Sequence, residues 1–130
     1  MSRFIPMLFV DDVEASSRWY QDLLGARSAH GGPEFEMLML GDELVLQLHH
    51  ADAEEHGSER LPEGAPRGAG VLLYLQTADV DAVHALHARA VEMGAAVESE
   101  PTYIELAHHT EFVVRDPDGY ALAVHSPFTP

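Results

Sequence analysis

The chain has 130 residues, 46% of them hydrophobic, and no cysteine, which fits one ordinary domain and excludes disulfides, thiolate catalysis and Cys-type zinc sites. Acidic residues outnumber basic ones 22 to 7, a formal charge of −15, which argues against nucleic acid and anionic membranes as partners. No apolar run approaches the ~20 residues a bilayer requires, and the opening Met1-Ser-Arg-Phe-Ile-Pro6 lacks signal-peptide anatomy, so the expected location is the cytoplasm.

In chain order, Phe4 to Val10 is an apolar run of strand length. Asp11 is the expected N-cap of a helix, with Glu14 completing a capping box. Val13, Trp19, Tyr20, Leu23 and Leu24 form its apolar stripe, and Gly25 is its stop. After the turn Gly31-Gly32-Pro33, strands are expected over Phe35 to Leu40 and Leu44 to His49, joined at Gly41-Asp42-Glu43. Residues 51 to 70 are polar and rich in breakers, as in a linker or surface loop. A strand over Val71 to Leu75 follows, then a helix from Asp79 to before Gly94, with Val80, Val83, Leu86, Ala90 and Met93 inward. Ala95 to Val97 and Tyr103 to Leu106 have the look of short strands. Phe112 to His125 is a hairpin whose turn, Asp116-Pro117-Asp118-Gly119, has a mechanism: proline presets φ and glycine takes φ > 0.

The order of elements repeats. Val10-Asp-Asp-Val-Glu-Ala15 parallels Thr77-Ala-Asp-Val-Asp-Ala82, Gly25 parallels Gly94, and Leu44 to His49 parallels Tyr120 to His125. Elements are kept while connections drift. Each half is a βαβββ module, so the expected fold is α+β: two such modules bent into a half-open barrel around a shared cleft. The chain is then a single domain, with module one at about 1–50, a linker at about 51–70 and module two at about 71–130.

On Val10 to Gly25 (Val-Asp-Asp-Val-Glu-Ala…Trp-Tyr-Gln-Asp-Leu-Leu-Gly), Ala78-Asp-Val-Asp-Ala82 and Phe112…Asp116-Pro-Asp-Gly119, the chain resembles the vicinal oxygen chelate superfamily. That group includes glyoxalases, extradiol dioxygenases and bleomycin-resistance proteins. The resemblance implies paired βαβββ modules, often in a homodimer. In the enzymes it implies a divalent metal held by His, Gln or Glu from the first and last strands of each module, acting as a Lewis acid. Counting from the aspartates that begin the helices and from the Asp-Pro-Asp-Gly turn, those four slots fall on Ile5, Gln47, Leu72 and Ala123. Only Gln47 has a donor atom. No metal and no cofactor are therefore expected. The resemblance then points to the metal-free, bleomycin-resistance-type binders, which confer antibiotic resistance by sequestering a small molecule.

Residues two apart on a strand share a face. Met7 and Phe9 go with Ile5, Val45 and His49 with Gln47, Tyr74 with Leu72, and Ala121 and His125 with Ala123. Phe35, Met37 and Met39 share a face of the intervening strand. The candidate ligand-binding set is Met7, Phe9, Phe35, Met37, Met39, Gln47, His49, Tyr74, Tyr103, His108 and His125, an apolar, Met-rich surface with a few polar points. Ordinary core is the competing reading for the apolar members. A relocated metal site at Gln47, His49 and His125 is an alternative, in a glyoxalase- or dioxygenase-type enzyme. A regulatory or assembly protein that kept only the fold is another. His84 and His87, three apart on a helix, suit an exposed face or packing. His108 and His109 precede the last hairpin, and Tyr103 is a lid candidate beside them.

Overall fold

The computed structural model describes residues 2–52 and 66–130, and the chain divides into two compact units, Met1–Pro66 and Arg67–Pro130. Most of the expected linker, residues 53–65, lies outside the described residues.

Module one runs β1 (Met7–Val10), α1 (Val13–Leu24), β2 (Arg27–Ser28), β3 (Phe35–Leu40) and β4 (Glu43–His50). Its sheet order is β1-β4-β3-β2, with β1 parallel to β4 and the other neighbours antiparallel. The first strand is shorter than the apolar run Phe4 to Val10, because Pro6 has no N–H to give a ladder. Its carbonyl still accepts from Gln47 N at 3.0 Å. The helix cap is Asp12 and not Asp11: Asp12 has extended backbone and its Oδ1 accepts from Ala15 N at 2.9 Å. The third helical position is thus Ala15, so Glu14 forms no capping box and acts only as a first-turn acid favoured by the helix dipole. Gly25, at φ 70°, closes the helix, as its missing Cβ allows.

Module two runs β5 (Leu72–Gln76), α2 (Val80–Glu92), β6 (Ala96–Val97), β7 (Thr102–Ile104), β8 (His109–Arg115) and β9 (Ala121–His125). Its order is β5-β9-β8-β6, with β7 also on β8 and β5 parallel to β9. β6 and β7 pair with successive stretches of β8, so together they are one interrupted strand. With that strand counted once, both modules have the same βαβββ topology, and the duplication seen in sequence is a duplication of fold. Each sheet is open and does not close on itself into a barrel.

Each helix covers one face of its own sheet. In module one the covered face carries Leu8, Val10, Leu38, Leu46 and Leu48, all buried. Glu36 also lies there, since Ser17 Oγ on α1 donates to it at 2.7 Å. In module two the covered face carries Phe112, Val114, Leu122 and Val124, and His87 on α2 meets Phe112 edge-on. Of the residues expected on the inner side of α2, Val83 and Ala90 are fully buried, but Val80 at the first turn is exposed. Arg67 and Gly68 belong to module two: Arg67 pairs with Asp118 at 2.6 Å, and Gly68 packs against Tyr120.

Candidate functional site

The opposite, uncovered face of module one is set by its register. Met7, Gln47 and Met37 stand side by side on β1, β4 and β3, and Phe9, His49 and Phe35 form the next row. His49 is flanked by both phenylalanines, with ring centroids 5.8 Å and 6.0 Å away. His30 extends the aromatic row, 5.0 Å from Phe35. A bulge lies beyond: Leu38 opposes Leu46 but Met39 opposes Leu44, passing over Val45. The extra residue changes the phase of the strand. Leu44 therefore shares a side with Met39, not with Leu46 and Leu48 as strict alternation predicts.

The sharp bend into β3 is held from behind by Glu36. Its carboxylate accepts from Ser17 Oγ and Ser28 Oγ at 2.7 Å each, Gly31 N at 2.8 Å, Met37 N at 2.9 Å and His30 N at 3.2 Å. Burial alone would push its pKa up. The hydrogen bonds from Ser28, Ser17, Gly31 and Met37 outweigh that and hold it below its ordinary value of 4.5. One buried side chain thus ties α1, β2 and the 30–31 turn to β3, and so aims Phe35 and Met37 outward.

The uncovered face of module two is more polar. Its rows are Tyr74–Ala123–Val113 and Gln76–His125–Glu111, across β5, β9 and β8. His109 and His125 are stacked, with centroids 4.4 Å apart and planes at 25°. The Tyr74 ring lies 4.7 Å from His125 and 5.9 Å from His109. His109 Nε2 is 2.7 Å from Glu111 Oε1, and the Tyr74 hydroxyl makes a longer contact of 3.5 Å to the same oxygen. Burial and the neighbouring Glu111 carboxylate push the Tyr74 pKa above 10.0, so its hydroxyl stays neutral. Further along, Arg67, Gly68–Leu72, Arg115 and Ala121 line an open hollow of about 510 Å³. Both arginines there already face acids, Arg67 on Asp118 and Arg115 on Glu98, each at 2.6 Å.

Of the candidate residues, Met7, Phe9, Phe35, Met37, Met39, Gln47 and His49 come together on module one's uncovered face. Tyr74 and His125 come together on that of module two. Tyr103 and His108 do not join them. Tyr103 pairs with Thr110, which places it on the other side of β7, and its hydroxyl donates to Thr129 O at 3.0 Å. His108 sits in a left-handed turn at φ 52° and packs on Phe128 at 4.9 Å. The next residue, His109, is the one that enters the site. Sequence reasoning passed over Glu111 as well, though both share the period of two with Val113 on β8.

The metal slots implied by the fold fall on Ile5, Gln47, Leu72 and Ala123. Ile5 precedes β1, Leu72 pairs with Ala121, and Ala123 is fully buried with only a methyl group. None has a donor atom, and among the described residues no group of three His, Asp or Glu side chains is placed to hold an ion. The stacked pair does not substitute. Imidazole lone pairs lie in the ring plane, and two nearly parallel planes do not meet at an ion about 2 Å from both nitrogens. The residues present do not fit the family's metal.

The sequence profile of the Glyoxalase/Bleomycin resistance protein/Dioxygenase superfamily matches residues 5–124. The chain belongs to this superfamily. Solved structures of the same fold include a glyoxalase-related enzyme from Fulvimarina pelagi, with TM-score 0.80 and 19% identity over 97% of this chain and 88% of that one. A hypothetical protein from S. aureus gives TM-score 0.77 and 21% identity over 97% and 94%. Lactoylglutathione lyase from Agrobacterium tumefaciens gives 0.72 and 18% over 98% and 95%. At these identities the likeness is one of fold. Among curated proteins, none matches the chain at a significant level. In this member of the superfamily, three of the four slots carry hydrocarbon side chains: Ile5, Leu72 and Ala123.

Proposed function

We propose that this chain is a metal-independent binder of a small, partly aromatic organic molecule, in the manner of bleomycin-resistance proteins, and that it acts as a cytoplasmic homodimer. The observation that carries this reading is the side-chain content of the slots: Ile5, Leu72 and Ala123 offer no electron pair. What surrounds Gln47 instead is a thioether and aromatic surface of Met7, Met37, Phe9 and Phe35. Flexible methionines and flat rings suit a flat ligand. Gln47 and His49 give such a surface polar points of the kind that fix orientation. The charge of −15 favours encounter with a cationic ligand and should make the on-rate fall with salt.

Isothermal titration of a panel of aromatic and glycopeptide antibiotics tests it. Saturable binding by at least one aromatic member, weakened by Phe35→Ala, is the expected result. Heatless titrations across the panel would count against the reading and favour a protein that kept the fold for regulation or assembly.

A further inference from the structure

Gln47 is the polar centre of module one's uncovered face, and its side-chain amide has no partner among the described residues. Strand alternation sends Leu46 and Leu48 into the core and Gln47 to the other side. There its neighbours across the sheet are Met7 on β1 and Met37 on β3, whose sulfurs are weak acceptors and no donors at all. The Gln47 side chain is half-buried, yet neither its oxygen nor its nitrogen is sealed from solvent. A ligand lying on this face therefore displaces water from a carbonyl and an N–H₂ held side by side on one planar group. Leaving either of them dry and unmatched costs binding energy. The next row, Phe9, His49 and Phe35, lies two residues along β4, about 7 Å away by the rise of a strand. Its two phenylalanine rings flank His49 with centroids 5.8 Å and 6.0 Å away. A flat two-ring system resting on that row brings its edge to Gln47.

We propose that Gln47 reads the amide edge of a ring lactam whose flat ring system lies against Phe9, His49 and Phe35. A carboxamide offers one acceptor and one donor side by side, so its complement carries a donor and an acceptor side by side as well. The two parallel hydrogen bonds need no second protein residue. An open-chain secondary amide is trans, with N–H and C=O on opposite sides, and meets Gln47 with only one of them. A lactam ring holds both on one side and in the plane of the ring. A carboxylate accepts from the N–H₂ but turns its lone pairs on the amide oxygen, and its charge has the sign of the chain's −15. An ammonium satisfies the oxygen and leaves the N–H₂ dry. The inference rests on the metal-independent binding reading and adds the ligand's chemical class and the residue that selects it.

The test is a titration of the full chain, followed by ¹H–¹⁵N correlation NMR, with three flat two-ring probes. 2-Quinolone has both the N–H and the C=O, 1-methyl-2-quinolone keeps only the acceptor, and indole has only a donor. 2-Quinolone is expected to bind about tenfold more tightly than either of the others, a difference of about 1.4 kcal/mol. It should also move the side-chain N–H₂ signals of Gln47, assigned in the unaltered chain by correlation to its backbone. Gln47→Met should erase the preference, and Phe35→Ala should weaken all three probes alike. Equal binding of the three probes overturns the lactam reading while leaving ligand binding on this face intact. So does binding of 2-quinolone without movement of the Gln47 N–H₂ signals, a readout that needs no variant. No binding by any probe overturns it too, whereas the metal-independent binding reading fails on a different result, a strict need for added metal.

Discussion

The imidazole of His125 lies flat against that of His109, 4.4 Å between centroids, and this stack fixes what the pair can do. It buries two aromatic faces against each other, with His125 Nδ1 held on the Ser126 carbonyl and His109 Nε2 on Glu111. Replacing His125 with Phe keeps the stack and nearly the volume, and should cost less than about 1.5 kcal/mol. His125→Ala removes the stacked ring from a buried site and should cost about 2–4 kcal/mol, as for other large-to-small changes. Neither should alter zinc affinity, because the stacked rings do not chelate. Urea unfolding and zinc titration of the two variants check both statements.

Glu36 should be worth more to stability than its place on a mixed-looking strand implies. Glu36→Gln leaves one oxygen and an unwanted N–H₂ facing five donors, and should cost about 2–3 kcal/mol. Its pKa is lowered on folding, so its contribution is fully present above the unfolded value of 4.5. The contribution is lost as pH falls through the lower, folded value. Denaturant midpoints measured between neutral pH and acid should show a steeper acid loss in the parent than in Glu36→Gln.

At the alkaline end the sign is reversed. Tyr74 has its pKa raised above 10.0, so its small contribution is present below that value and lost as pH rises through the folded one. Tyr74 is 56% exposed, which keeps the effect modest. Ultraviolet titration of the phenolates should show one tyrosine ionising late in the parent, absent in Tyr74→Phe.

The two caps test the duplication as physics. Asp12 and Asp79 each accept from the backbone N–H three residues on, at 2.9 Å and 2.8 Å. Alanine at either should cost about 1 kcal/mol. The two losses should add, since the caps sit in separate modules. Thermal unfolding of the single and double variants checks this.

Much of the fold is legible in the chain because it rests on local signals. The Asp116-Pro-Asp-Gly119 turn forms as its residues demand: Asp116 Oδ1 accepts from Asp118 N at 3.0 Å and Tyr120 N at 2.9 Å, and Gly119 takes φ 96°. The site is less legible because it depends on register. The bulge at Leu38/Met39 turns Leu44 to the other side, and nothing in Leu-Val-Leu announces it. His108 and His109 are indistinguishable by type. Only the pairing of His109 with Ile104 and the left-handed turn at His108 decide which one enters the site. Glu36 lies in an apolar run, and its five donors come from segments that only folding assembles.

Metal independence is the central claim, and one comparison bears on it most directly: calorimetric titration of the same aromatic ligand into the chain after exhaustive chelation and after loading with zinc or manganese. The account predicts the same affinity in both, with no stoichiometric metal retained on the purified protein. One tightly held metal per chain, with binding abolished by the chelator, would contradict it.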